Sequence, residues 1–158
     1  MPVAKIVILN WNGAEHLRRF LPSVVAAAPA GVEVMVADNG STDDSLRVLA
    51  TEFPSVGVLR LEANYGFAGG YNRALKQVEA DYYLLLNSDI ETPEGWLAPI
   101  LDVLEREPDV AVVSPKLISW TDRTEFEYAG ASGGFIDFLG YPFCRGRILR
   151  QVEADEGQ

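Results

Sequence analysis

Residues 4–13 read AKIVILNWNG, and this stretch decides the fold. Ala4 to Leu9 is an apolar, β-branched run, the pattern of a buried strand. It stops at a polar turn, Asn10-Trp11-Asn12-Gly13. Residues 14–27 then place Leu17, Phe20, Leu21, Val24 and Val25 at helical spacing, and Pro29 with Gly31 ends the helix. An apolar strand, a polar turn and an amphipathic helix form the opening unit of an α/β chain.

The same unit recurs downstream. Val32 to Ala37 is a second strand, ending at Asp38-Asn39-Gly40-Ser41-Thr42. Ser41 or Thr42 is expected to cap a helix that carries Asp43 and Asp44 in its first turn and stops before Pro54. Val56 to Leu61 is a third strand, followed by a glycine-rich loop, Asn64 to Gly70, and a helix from Tyr71 to Val78. Tyr82 to Leu86 is the most apolar strand and is expected to be central. It ends at Asn87-Ser88-Asp89, and Pro93 suits the first turn of a helix reaching Glu105. Val110 to Val113 reads as a fifth strand. Residues 116–120 and 125–129 suit a hairpin around Thr121-Asp122-Arg123, and the tail from Gly146 has no clear core pattern. Near-continuous apolar strands alternating with helices predict a mostly parallel sheet with helices on both faces.

The 158 residues fit one domain, and about half of them are apolar, enough for a core on both faces of a sheet. The net charge of −10 argues against nucleic-acid binding, which depends on counterion release by Lys and Arg. Any diphosphate must then be held by local dipoles or a metal. The single cysteine, Cys144, allows no intrachain disulfide and fits a reducing cytoplasm; an inert, partly buried thiol is its default reading. The start, MPVAKIVILN, reads as a strand rather than a signal peptide, and no apolar run reaches bilayer-spanning length. Peripheral association with a membrane through other parts of a longer protein stays open.

Right-handed crossovers bring the carboxyl ends of parallel strands to one edge, where α/β sheets bind ligands. Asn10-Trp11-Asn12, Asp38-Asn39-Gly40-Ser41 and Asn87-Ser88-Asp89 each follow an apolar strand, and Asn64 to Gly70 joins them there. Asp89, with diphosphate oxygens and waters, suits Mg²⁺ or Mn²⁺, which take hard oxygen ligands. The competing reading is a turn, which Asn, Ser and Asp all favour. Asp38 could accept the imide N–H of a uracil or thymine ring, or serve the Asp-Asn-Gly turn; the two stand level. The loop at Asn64 could bring backbone N–H groups to an anion, or use its glycines for packing. It is neither a dinucleotide fingerprint, which belongs after the first strand, nor a P-loop, which ends in Gly-Lys-Ser/Thr. His16, the one histidine, reads as a surface residue. Trp11 suits either ring stacking or core packing, while Trp96, Trp120 and Tyr82-Tyr83 are assigned to packing.

Taken together, IVILNWNGAEHL, VMVADNGSTDDS, EANYGFAGGYNRAL, DYYLLLNSDIETPEGWL and VAVVSPKL resemble the family 2 glycosyltransferases, which have the GT-A fold. They follow the family's order and spacing over roughly residues 3–120 and look most like the subgroup that includes rhamnosyltransferases of polysaccharide assembly. The resemblance implies a donor domain over residues 1–120, with an incomplete acceptor region beginning at 121–158. It implies inverting transfer of a sugar from a nucleoside diphosphate to a saccharide or lipid-linked acceptor. Asn10, Asn12 and Asp38 would contact the nucleoside, and Asn64, Gly66, Gly69 and Asn72 would line the donor pocket. Ser88 and Asp89 fall at the family's Asp-x-Asp position, with Asp89 as metal ligand; its leading Asp is Asn87 here.

The family's base lies in an acidic acceptor-side motif that residues 120–158 do not show; Glu125, Glu127 and Asp137 are carboxylates in unmarked contexts. The chain is therefore expected to be truncated, binding nucleotide but transferring sugar poorly. The runner-up is a nucleotide-binding, catalytically inactive module of the same fold. A nucleotidyltransferase ranks lower, because LNWNGAE lacks Lys and Arg, and a nicotinamide dehydrogenase lower still, for want of its fingerprint. An apolar stretch, FIDFLGYPF at 135–143, either faces a partner or belongs to the core.

Overall fold

The computed structural model describes residues 4–127, 133–144, 147–148 and 151–152. It contains two compact units, Met1–Ala98 and Pro99–Gln158. In the first unit, β1 (Ala4–Asn10), α1 (Ala14–Ala27), β2 (Glu33–Asp38), α2 (Ser45–Glu52), β3 (Gly57–Arg60), α3 (Gly66–Leu75) and β4 (Tyr82–Asn87) alternate along the chain. The four strands form one parallel sheet in the order β3-β2-β1-β4.

Side chains on a strand alternate between faces. Val7 of β1 and Ala37 of β2 cluster with Tyr71, Ala74 and Val78 from and just beyond α3. Ile6, Ile8 and Val36, on the alternate positions, are also fully buried. They point to the opposite face, where α1 and α2 pack against each other and bury Leu17, Leu21, Val24, Val48 and Leu49. Both faces of β1 and β2 are thus covered, as their unbroken apolar runs predict, in a parallel α/β sheet with helices on both faces.

Several boundaries differ from the sequence reading. β4 lies at the end of the strand order rather than at its centre, and Tyr83 and Leu85 on one of its faces are 40% and 53% exposed. Its apolar run therefore reports position beside β1, not enclosure on all sides. Helix α3 starts at Gly66, five residues earlier than expected, so most of the glycine-rich segment is helical. Its first residue has φ 71°, a left-handed value that glycine adopts without steric penalty. Helix α2 starts only at Ser45, so neither Ser41 nor Thr42 caps it.

Helix α4 (Ala98–Arg106) begins five residues after Pro93, with Ala98 in the first unit and its remaining residues in the second. Gly95, at φ 74°, breaks any helix before it. Residues 110–113 form no strand. That run is flanked by Pro108 and Pro115, which cannot donate ladder hydrogen bonds. The expected hairpin appears as an antiparallel bridge, Ile118 to Phe126, with Ser119 N donating to Glu125 O at 2.8 Å and Glu127 N to Leu117 O at 3.0 Å. Beyond it, β5 (Gly134–Ile136) pairs antiparallel with β6 (Pro142–Cys144), and β7 (Arg147–Ile148) with β8 (Gln151–Val152). Phe135, Ile136, Phe138, Leu139 and Tyr141 of that first hairpin are exposed rather than in the core. Trp11 is also exposed, which excludes core packing, and Trp120 and Tyr83 are only partly covered. His16 lies on the surface as expected. The Cys144 side chain lies outside the described residues.

Candidate functional site at the carboxyl edge of the sheet

Because the strands are parallel, the ends of β2, β1 and β4 lie side by side. The register pairs Asn10 with Asp38 across β1 and β2, and Leu9 with Asn87 across β1 and β4. Asn10 is fully buried, and its Nδ2 donates to Asp38 Oδ1 and to Ser41 Oγ, both at 3.2 Å. The other carboxylate oxygen of Asp38 accepts from Ser41 N at 3.0 Å. An ionised carboxylate offers only acceptors, so the amide of Asn10 is the matching neighbour for a buried Asp38. Asp38 is therefore braced from within, and any ligand contact must use a second lone pair on one of its oxygens. Asn10 Oδ1, by contrast, meets no donor among the described residues. Gly13 sits directly beside it: a Cβ added there would lie 2.4 Å from Oδ1 and 3.7 Å from Ser88 Oγ. Ser88, at the end of β4, therefore adjoins the same corner.

Asn12 has φ 51°, the left-handed conformation that Asn tolerates better than most residues. This turns its side chain toward the β2 loop, where Oδ1 accepts from Thr42 N at 2.7 Å and Asp43 N at 3.3 Å. In return Ser41 Oγ accepts from Asn12 N at 2.9 Å. Asp43 then serves two helices at once. Oδ2 accepts from Ala14 N, the first residue of α1, and Oδ1 from Ser45 N, the first residue of α2, both at 3.0 Å. Burial pushes the Asp43 carboxyl up, but the adjacent Ser45 hydroxyl dipole and the backbone N–H groups of Ala14 and Ser45 outweigh it. The net value lies below the ordinary carboxylate range.

The end of β2 is tied to α3 through Asn39, which is buried. Its Nδ2 donates to Asn64 Oδ1 at 3.0 Å and to Gly66 O at 3.1 Å, while its Oδ1 accepts from Tyr65 N at 3.0 Å. Asn64 Oδ1 also accepts from Gly66 N at 2.8 Å, closing the turn that opens α3. Further along α3, the buried Tyr71 hydroxyl donates to Leu86 O at 3.0 Å and lies 3.4 Å from both Leu9 N and Val7 O, so it spans β1 and β4. Burial pushes its phenol up, partly offset by the Leu9 N–H. Arg73 stacks 3.8 Å over the Tyr65 ring and donates to Gly69 O at 3.3 Å.

Asp89 follows β4 by two residues, is exposed, and has no hydrogen bond or ion pair among the described residues. Those residues contain no group of three or more His, Cys, Asp or Glu side chains suited to a metal. A cation at Asp89 must therefore draw most of its ligands from elsewhere. One free carboxylate fits a divalent ion that also binds a diphosphate, and does not fit a metal held by protein alone.

The structure brings Asn10, Asp38, Asn64 and Gly66 into one hydrogen-bonded network and joins Asn12 to it through Ser41 and Ser88 through the Gly13 corner. Gly69 and the exposed Asn72 lie on α3 without a hydrogen bond to that network, and Asp89 stands apart from it. A depression of 320 Å³ opens nearby, lined by Asn12, Gly13, Ala14, Glu15, His16, Arg18, Asp43 and Asp44. Asn12 alone among the predicted ligand residues borders it. Sequence reasoning missed Asn39 and Tyr71, and it placed Asp43 at the start of one helix, where the structure has it serve two. Asn39 was legible as the polar residue inside Asp-Asn-Gly; nothing local marked the reach of Tyr71.

Known proteins place this edge in context. Residues 5–147 match the pattern of the family described as glycosyl transferase family 2. The N-acetylglucosaminyl-diphospho-decaprenol L-rhamnosyltransferase of Mycobacterium tuberculosis is 29% identical over 124 residues, covering 72% of this chain and 40% of that protein. The undecaprenyl-phosphate 4-deoxy-4-formamido-L-arabinose transferase of Sodalis glossinidius is 33% identical over 66% of this chain and 34% of its own length. The chain thus spans well under half the length of these curated relatives. Among solved structures, S. aureus TarS aligns with a TM-score of 0.57 at 22% identity over 73% of this chain and 39% of that one. A Pyrobaculum calidifontis mannosyltransferase, solved with GDP-Man and Mn2+, aligns at 0.50 and 21% identity over 58% and 29%. Those likenesses support the fold alone, but the sequence pattern runs through every strand end just described, and on it this chain belongs to glycosyl transferase family 2.

Proposed function

We propose that this chain is the donor-binding part of an inverting glycosyltransferase that moves a sugar from a nucleoside diphosphate to a saccharide or lipid-linked acceptor. The observation that carries this reading is the shared edge, where Asn10 faces Asp38 in register and Asn39 fastens Asn64 beside them. Two of the curated relatives bear names of transferases with polyprenol-linked substrates, which suits a cytoplasmic enzyme working against the membrane. Residues 1–120 would form the donor domain and 121–158 the start of an acceptor region.

In the proposed reaction an acceptor hydroxyl oxygen attacks the anomeric carbon as the bond from that carbon to the diphosphate breaks. The hydroxyl proton leaves to a base, and the diphosphate departs with the bonding pair. Mg²⁺ or Mn²⁺, when bound, would neutralise charge on the leaving diphosphate. Asp89 would hold it, Asn10, Asn12 and Asp38 would contact the nucleoside, and Asn64, Gly66, Gly69, Asn72 and Ser88 would line the donor. The second reading, a module that binds nucleotide without transfer, draws support from the carboxylates after residue 120. Asp137 Oδ1 accepts from Leu139 N and Tyr141 N, both at 2.9 Å, and so serves its own turn. Glu125 and Glu127 are simply exposed.

Titration calorimetry with UDP and with dTDP, each with and without Mn²⁺, tests the proposal. Wild type should bind at least one of them more tightly with metal, and Asp89→Ala should abolish the metal effect without lowering Tm. Absence of binding by either nucleotide with metal present would refute the donor-site reading.

A further inference from the structure

We infer that Asn39 is a positioning residue: it sets the conformation of the Asn64–Gly66 turn and, through it, the geometry of the donor site. This rests on the donor-binding reading above, and the experiment below separates the two.

All the polar capacity that Asn39 needs here has a fixed polarity. The Tyr65 backbone N–H can only donate, so it demands an acceptor, and Asn39 Oδ1 supplies it. The Gly66 carbonyl can only accept, so it demands a donor, and Nδ2 supplies it. The same Nδ2 donates to Asn64 Oδ1, whose other partner is Gly66 N. One amide thus reads the whole three-residue turn, and no isostere does the same. An aspartate keeps the acceptor for Tyr65 N but sets a carboxylate oxygen against two oxygens at about 3 Å, which repel it.

Asn39 cannot easily move to compensate. Its own N–H donates to Asn10 O at 2.7 Å, which locks it to the end of β1. A Cβ at Gly70 would lie 3.0 Å from Nδ2, so α3 presses on it from the other side. Both N–H bonds of its side chain are committed to Asn64 and Gly66, and its oxygen to the Tyr65 N–H, so the amide serves the turn rather than a ligand. Its effect must pass through Asn64 and Gly66, and the backbone of β1 carries it on to Asn10. This makes it a positioning residue, distinct from those placed against the donor.

The test uses the whole chain and the variants Asn39→Asp and Asn39→Ala. UDP or dTDP with Mn²⁺ is titrated well below each variant's Tm, and hydrogen–deuterium exchange is followed by mass spectrometry. Positioning predicts a Kd raised about tenfold or more in Asn39→Asp at unchanged stoichiometry. Exchange should rise in residues 62–70 while residues 4–9 and 82–86 stay protected. A purely structural role predicts the opposite split, with fewer competent molecules at an unchanged Kd, and would overturn the inference. So would exchange that rises evenly along the chain, or not at all. If Asn39→Asp fails to fold, Asn39→Ala, which adds no charge, carries both measurements. If wild type binds neither nucleotide, the donor reading fails, and the exchange pattern alone still decides whether Asn39 sets the turn.

Discussion

Replacing Gly13 by alanine should damage the protein far more than one methyl group normally does. The new Cβ would sit 2.4 Å from Asn10 Oδ1, whereas ordinary contact begins near 3.4 Å, so the amide must retreat by about 1 Å. Asn10 cannot retreat freely, because Nδ2 is held at 3.2 Å by both Asp38 and Ser41. A shift of that size stretches both bonds past hydrogen-bonding range. Leaving buried polar groups without partners costs about 1–3 kcal/mol, and overpacking adds a similar amount. The overlap of the two effects places the loss at about 3 kcal/mol, or roughly 6–12 °C in Tm for a chain of this size. Backbone strain contributes little, since Gly13 has φ −113°. The assay is thermal and urea denaturation of Gly13→Ala, Asn10→Ala and the double variant. With Oδ1 gone, the next atom near the new Cβ is Ser88 Oγ at 3.7 Å, an ordinary contact. Adding Gly13→Ala to Asn10→Ala should therefore cost less than about 1 kcal/mol, a large favourable coupling in the double-mutant cycle. Additive losses, or a single Gly13→Ala variant as stable as wild type, would show that the corner is not packed as described.

Other substitutions test the remaining braces. Asp43→Asn should lower stability by about 1 kcal/mol by weakening acceptors at two helix starts. Because the folded carboxyl of Asp43 lies below its ordinary 3.8, its contribution is present above that value and fades as pH falls through the lower folded value. The gap between wild type and variant should thus narrow below about pH 3.8, and a gap that widens there refutes the assignment. Tyr71→Phe should cost about 1 kcal/mol in urea denaturation, since only the hydroxyl bridging β1 and β4 is lost. No change in midpoint would mean the strands do not use it.

The architecture was legible because strand ends and helix faces leave local signatures. AKIVIL, the periodic apolar face of residues 14–27 and the polar triplets after each strand all report nearest-neighbour chemistry. What was not legible depended on partners far away in sequence. The strand order places β4 beside β1 through pairing that its own composition cannot reveal, and YYLLL reads alike in the centre or at the end of a sheet. Gly66, where α3 opens, is gripped through its carbonyl by Asn39, 27 residues earlier. Ser41 and Thr42 look like helix caps, yet Asn12 and Asn10 claim them, and Asp43 takes over the helix starts. The failed strand at 110–113 shows the complementary limit: a short apolar run between prolines has β propensity but lacks backbone donors at both flanks.

The left-handed turn at Asn12 has one more consequence. Its carbonyl oxygen is already spent on the N–H groups of Thr42 and Asp43, so the side chain has only its NH₂ pair to present outward. Whatever docks against that residue must bring lone pairs, as a sugar hydroxyl or a phosphate oxygen does, and a ligand edge offering only hydrogens finds nothing there to receive them.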